Sequence, residues 1–218
     1  MDISIIIPCY NHGHLIQDAI DSVLQCQGIS YEIIIVNDGS TDDYTITKIT
    51  ELESLGYNIV THENHGLGYT RNAGIRQARG KYILPLDADN KIKPEYIYKS
   101  LKILNNGLAD IVYANPIFFG EIISTRKFKT KDFNSTRLFF GNYIDACAIY
   151  RKEVWVKVGG YEEKMPIQGH EDWEFWLNAH INNFKFYHIN EELYYYRILS
   201  NSMSIINLGT DIDKKNYE

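Results

Sequence analysis

Short β-branched runs alternate with stretches in which apolar residues recur every three or four positions, and this alternation organises residues 1–90. Residues 3–7 and 32–36, dominated by Ile and Val, are the two clearest strands. Between them Leu15, Ile16, Ala19, Ile20, Val23 and Leu24 form one stripe at helical spacing, with Gly28 placed as its stop. Ser40-Thr41-Asp42-Asp43 puts capping oxygens and negative charge at a second helix start, which Ile46, Ile49, Leu52 and Leu55 carry to Gly56. Residues 58–61 predict a third strand, 70–78 a helix ended by Gly80, and 81–86 a fourth strand. The rhythm predicts an α/β fold with a mostly parallel, Rossmann-like central sheet flanked by helices.

Beyond Asp89 the pattern loosens. Pro94 opens a helix carrying Ile97, Leu101 and Leu104; residues 111–113, 147–150 and 184–189 read as strands, and 152–158 and 171–181 as helices. Residues 115–145 show no usable period, and 207–218 form a polar tail that reads as a truncation point. Trp173 and Trp176 interleave with Phe175 and Leu177, the pattern of core side chains rather than sugar platforms.

Composition narrows the function. A chain of 218 residues, 44% hydrophobic and 23% charged, suits one soluble domain. A net charge of −6 offers no field for nucleic acid, so a phosphate must be met by a few placed cations or by a metal. Aromatic residues at 13%, with 17 tyrosines, are compatible with a polar ligand such as a sugar. Cys9, Cys26 and Cys147 have no CxxC spacing and fit small buried positions in a reducing compartment. The start of the chain lacks the form of a signal peptide, and no apolar run nears the roughly 18 residues that span a bilayer. The expectation is a cytoplasmic protein, with peripheral contact at the inner face of the membrane as the alternative.

In an open parallel sheet, ligands bind beyond the carboxyl ends of the strands. The loops predicted there are polar: Pro8-Cys9-Tyr10-Asn11-His12, Asn37-Asp38-Gly39-Ser40-Thr41-Asp42 and Asp87-Ala88-Asp89-Asn90. Each alone also fits an ordinary turn. Asp87 and Asp89, two apart after an apolar strand, would share one face of extended backbone. Carboxylates held so would repel unless a cation lay between them or other partners separated them, and Mg²⁺ or Mn²⁺ takes oxygen ligands while keeping positions for phosphates.

The ordered series Ile5-Ile6-Ile7-Pro8-Cys9-Tyr10-Asn11, Ile35-Val36-Asn37-Asp38-Gly39-Ser40, Asn64-His65-Gly66, Thr70-Arg71-Asn72-Ala73-Gly74 and Asp87-Ala88-Asp89 resembles the family 2 glycosyltransferases of GT-A fold. Gly169-His170-Glu171-Asp172-Trp173 resembles the family's Glu-Asp motif, and Leu193-Tyr194-Tyr195-Tyr196-Arg197 its late tyrosine-arginine strand. The resemblance covers residues 3–204, with a gap near 115–145. It implies one domain over 1–206, with a nucleotide-binding half (1–90) and an acceptor-binding, catalytic half (91–206). It implies an inverting transfer of a sugar from a nucleotide diphosphate donor, UDP-hexose or UDP-N-acetylhexosamine by default. The acceptor would be a hydroxyl of a glycan or lipid-linked sugar, as in polysaccharide synthesis.

By the same resemblance, Pro8, Tyr10 and Asp38 hold the base and ribose, Asn64 and Arg71 close the nucleotide pocket, and Asp87 with Ala88 lies on the nucleoside side. Asp89 binds the Mn²⁺ or Mg²⁺, Glu171 contacts substrate, Arg197 and Ser202 meet the diphosphate, and Asp172 is the base. On the residues alone, Arg71 equally fits an exposed helix position, and Glu171-Asp172 the acids favoured at any helix start. The family often carries a histidine where Leu199 stands, so either Arg197 and Ser202 suffice or another group such as His188 compensates. His12, His14, His62 and His65 lack zinc-ligand spacing. Asn115, Asp145 and Gln168 are acceptor-side candidates without a motif.

Other classes fit less well. A nicotinamide-dependent dehydrogenase needs a glycine-rich turn after the first strand, where this chain has Pro-Cys-Tyr-Asn-His. A sugar-nucleotide-binding module without turnover is argued against by the presence of Asp38, Asp87, Asp89 and Asp172 together.

Overall fold

The computed structural model describes residues 1–121 and 128–199. In its first half β1 (Ile3–Cys9), β2 (Tyr31–Asp38), β3 (Asn58–His62) and β4 (Tyr82–Pro85) lie parallel, linked by α1 (Ile16–Leu24), α2 (Asp43–Ser54) and α3 (Leu67–Gln77). The second half contains β5 (Lys91–Ile92), α4 (Pro94–Asn105), β6 (Ile111–Gly120), α5 (Ser135–Phe140), β7 (Ile149–Arg151), α6 (Lys152–Val158), α7 (Glu171–Ile181) and β8 (Phe186–Ile198). All eight strands join one sheet in the order β3-β2-β1-β4-β7-β6-β8-β5. The parallel arrangement stops at β4: the β4–β7, β6–β7 and β5–β8 pairs are antiparallel, and only β6–β8 is parallel in the second half.

The sheet is covered on both faces, which is why its strands read as apolar runs rather than alternating ones. Ile3, Ile5 and Ile7 of β1 enter one layer with Ile16, Ile20, Leu52, Ile97 and Leu104, while Ile6 enters the other with Ile75, Phe175 and Trp176. Gly74 lets α3 lie close on the sheet, since a Cβ there would come within 2.5 Å of Ile6 Cγ2.

Several expectations shift. Leu24, predicted in the α1 stripe, is exposed, because at about 100° per residue it has rotated out of the face begun by Ile16. Ser22 is buried on that face instead, its hydroxyl donating to the Ala19 carbonyl and accepting from the Ile92 N–H. On α2, Ile49 and Leu52 are buried with Thr45, but Ile46 and Leu55 are exposed. Helix α3 begins at Leu67 rather than Thr70. The strand predicted at 184–189 and the tyrosine-arginine segment form one strand, β8, paired along β6 through an irregularity at Asn115 and Pro116. A proline offers no N–H to the ladder, so it is tolerated there. All three cysteines are buried and unpaired. No described helix is long and apolar enough to cross a membrane.

Candidate active site

Loops at the carboxyl ends of β1, β2 and β4 meet the N-terminus of α7. The first two are locked together by Asn11, whose side-chain oxygen accepts from the Thr41 and Asp42 amides (2.8 and 3.2 Å) and whose NH₂ donates to Thr41 Oγ1 (3.2 Å). Asp42 in turn caps α2 by accepting from the Thr45 amide at 2.8 Å. Asp38 is buried at the end of β2, and its oxygens accept from the His65 and Gly66 amides at 2.8 and 3.0 Å. Those bonds satisfy N–H groups at the entry to α3 and explain its early start. Gly39 (φ +65°) permits the approach, since a Cβ there would stand 2.6 Å from the Asn64 nitrogen. Pro8 is buried within β1, while Tyr10 and Asn64 are exposed at the rim.

Arg71 is the centre of the site. Only 2% exposed, its guanidinium donates to Glu171 Oε1 at 2.7 Å and to Asp87 Oδ1 at 2.8 Å. Burial works against its charge, but Asp87 and Glu171 hold it, and its pKa lies well above the ordinary value. It is therefore not an exposed helix residue. Asn72 anchors the same helix with a saturated amide: its NH₂ donates to the Tyr161 carbonyl and Glu163, and its oxygen accepts from Trp155 Nε1 and the Tyr161 N–H.

The two aspartates after β4 are not on extended backbone. The strand ends at Pro85, and a turn closed by the Asn90 N–H on the Asp87 carbonyl (2.9 Å) brings them together, with Ala88 buried between. Burial and then the charge of Asp87 push the Asp89 carboxyl up to about 7. Arg197 donates through Nε to the Asp89 carbonyl (2.8 Å) and through its other arm to Asp18 (2.6 Å). Asp172 sits at the start of α7 with its carboxylate buried, one oxygen accepting from the Trp173 amide (2.7 Å) and the other from Asn142 Nδ2 (3.0 Å). Burial and then Glu171 raise its pKa well above the ordinary carboxylate range, against the pull of Arg71.

Asp145 joins the same cluster. Burial and then Asp87 push its carboxyl up to about 7, and it faces Asp172 as well. Asp145 was only a candidate without a motif, and Asn142 gave no signal in the sequence. Both come from the 115–145 stretch, where no period could order the chain. His12 also reaches the site: burial and then His14 lower its pKa, with Asp87 and Arg197 within electrostatic range.

Other candidates lie elsewhere. His188 cannot stand in for the missing histidine, because its nitrogens are engaged by Asp132 and Asn115 at 2.8 Å each, nine residues before Arg197. Asn115 is thereby drawn away too. Gln168 packs against Gly66 at the start of α3. Trp176 is core, its indole donating to the Ile144 carbonyl. Ser202 lies outside the described residues.

The cluster of Asp87, Asp89, Asp145, Glu171 and Asp172 sets five carboxylates against two arginines, Arg71 and Arg197. No described group of three or more His, Cys, Asp and Glu is placed to hold a metal by itself. Asp89 nevertheless suits a hard divalent ion: it is an oxygen donor that forms no ion pair among the described residues, with Arg197 acting on it through charge and its own amide giving the one hydrogen bond that favours ionisation. Mg²⁺-type ions take one or two carboxylates and complete their shell with phosphate and water.

Comparison with known proteins agrees on the family. The profile described as Glycosyl transferase family 2 matches residues 4–159. Over 224 aligned residues the chain is 30% identical to the chondroitin synthase of Pasteurella multocida, covering 99% of this chain but 22% of that protein. It is 27% identical to the putative glycosyltransferase EpsH of Bacillus subtilis, over 90% of this chain and 60% of that one. The chain thus spans only part of these relatives. Among solved structures, S. aureus TarS 1-349 in complex with UDP-GlcNAc superposes with a TM-score of 0.76 at 21% identity, over 94% of this chain and 61% of that one. The mannosyltransferase PcManGT of Pyrobaculum calidifontis, in complex with GDP-Man and Mn²⁺, gives 0.70 at 14% identity, over 94% and 59%. The fold is GT-A.

Proposed function

The chain belongs to glycosyl transferase family 2, and from that premise we propose that it moves a sugar from a nucleotide diphosphate donor to an acceptor hydroxyl, inverting the anomeric carbon. The observation that carries this reading is the buried Arg71, bridging Asp87 beside the donor loops and Glu171 beside Asp172. It holds a candidate donor-binding turn and a candidate base in one rigid frame.

Pro8, Tyr10, Asp38 and Asn64 line the crevice for the nucleoside, with Asp87 and Ala88 at its floor. Arg197, with Ser202, meets the diphosphate. Asp89 would hold Mn²⁺ or Mg²⁺ together with the donor phosphates, where the ion would supply positive charge to the departing diphosphate. Asp172 takes the acceptor's proton as the acceptor oxygen bonds to the anomeric carbon and the bond to the diphosphate breaks. A carboxyl lifted above its ordinary range is a stronger base than an exposed aspartate, which suits this task near neutral pH. The UDP-GlcNAc complex of TarS and the naming of relatives as chondroitin and hyaluronan synthases favour a UDP-hexose or UDP-N-acetylhexosamine donor and a growing glycan or lipid-linked sugar as acceptor. The same reading sets this work in the cytoplasm or at the inner face of the membrane.

The test is transfer from a panel of nucleotide sugars to oligosaccharide acceptors, with the product's anomeric configuration read by NMR. A product of retained configuration, or donor binding without turnover on any acceptor, overturns the reading.

A further inference from the structure

We propose that Asn142 is a positioning residue for Asp172, donating the side-chain hydrogen bond that orients the carboxylate. The proposal rests on the transfer reading above and adds a residue that no motif marks. Asn142 Nδ2 donates to Asp172 Oδ2 at 3.0 Å, while Asn142 Oδ1 accepts from the Ile144 N–H at 3.0 Å. The second bond fixes the first: the amide oxygen can accept from Ile144 only with the NH₂ turned toward Asp172.

The segment carrying Asn142 is itself pinned to α7 on both sides. Trp173 Nε1 donates to the Leu138 carbonyl at 2.6 Å and Trp176 Nε1 to the Ile144 carbonyl at 3.0 Å. The indoles therefore hold the loop to the helix that bears Asp172, so the donor is in place before substrate arrives. Among the described residues, no other side chain hydrogen-bonds Asp172. Arg71, whose charge acts on Asp172, directs its hydrogen bonds to Glu171 and Asp87 instead.

The charges facing Asp172 make this bond matter. Glu171 on its own helix and Asp145 from the loop before β7 oppose its ionisation, Arg71 from α3 favours it, and the Tyr161 hydroxyl after α6 is close. A neutral N–H donor stabilises the ionised carboxylate without adding charge to the site.

Two substitutions separate positioning from packing. Asn142→Asp keeps the oxygen that accepts from Ile144 and replaces the donor with an anion; Asn142→Ala removes both bonds. The acid limb of kcat/KM is expected to move up by about one pH unit in Asn142→Ala and further in Asn142→Asp. Turnover near neutral pH should fall by about tenfold or more, while donor KM stays within about twofold. The Asp172 carboxyl titration, followed by carbon NMR without substrate, should move the same way. If Asn142→Ala does not fold, Asn142→Asp carries the test, since it retains the loop's bond to Ile144. An unmoved acid limb and an unmoved Asp172 titration in a folded variant overturn the proposal. Absence of transfer by the parent chain would defeat the transfer reading instead, with the titration still deciding Asn142.

Discussion

The two halves of the sheet treat a buried aspartate in opposite ways. In the parallel half, Asp38 ends β2 with backbone amides on both oxygens. In the mixed half, Asp172 opens α7 against Glu171 and Asp145, and its pKa is driven up by burial and their charge. Asp38 and Asn11 spend their polar atoms tying loops to one another, and Asn37 closes its own loop, its side chain accepting from the Ser40 amide at 3.1 Å. Asp89, Asp145 and Asp172 are left facing other carboxylates, and burial with that repulsion makes them keep their protons to a higher pH than an ordinary aspartate. A recognition surface gains from loops fixed in advance, whereas a chemical site needs groups whose protonation can still change.

The contrast can be broken most severely at Asp172. Asp172→Asn should cut turnover by roughly 10²–10⁴-fold with donor Kd nearly unchanged, measured by steady-state kinetics and calorimetry on one preparation. A stable variant with parental turnover would remove Asp172 from the mechanism and leave it a helix-start acid. Arg71→Met comes next. It leaves Asp87 and Glu171 without their shared cation, and chemical denaturation should show a loss of about 3–5 kcal/mol. A loss below about 1 kcal/mol would mean that the two carboxylates find other partners.

Asp38→Ala should cost about 1–3 kcal/mol, because the amides of His65 and Gly66 lose their acceptor. If Asp38 also reads the base, the variant will bind UDP, GDP and CDP with a flattened ranking. An unchanged ranking with the stability loss intact would confine Asp38 to holding the loop.

A pH slope bears on the same contrast. Asp89 and Asp145 bind their protons up to about 7 in the folded chain, against an ordinary value of 3.8. Between those limits the unfolded chain holds fewer protons than the folded one, so stability falls as pH rises through this window and levels off above it. Melting temperature should show that decline. Mn²⁺ with UDP should flatten it, and a slope unaffected by Mn²⁺ with UDP would argue against a cation at Asp89. EDTA should abolish UDP-sugar binding, and Asp89→Ala should weaken the metal dependence more than Asp87→Glu.

Sequence by itself determined the elements whose signal is local. The apolar runs of β1 and β2, the Asp42 cap of α2, Pro94 at the start of α4, and the full extents of α6 and α7 follow from periodicity and capping within a few residues. The motifs also named Arg71, Asp87 and Glu171, which the fold bonds together, and Asp172, which it sets beside them. Tertiary structure decided what depends on residues far apart. Arg71 meets Glu171 across a separation of 100 positions, and that contact turns a helix arginine into a buried one. Helix α3 starts early because Asp38, on another strand, takes its first amides. Asp87 and Asp89 converge through a turn that strand alternation did not foretell. Asn142 and Asp145 reach the site on a segment with no period of its own, held there by two indoles of α7. A periodic pattern reports which face of an element is apolar, but the partner of a polar side chain is chosen by packing between elements, and that choice leaves no trace in spacing along the chain.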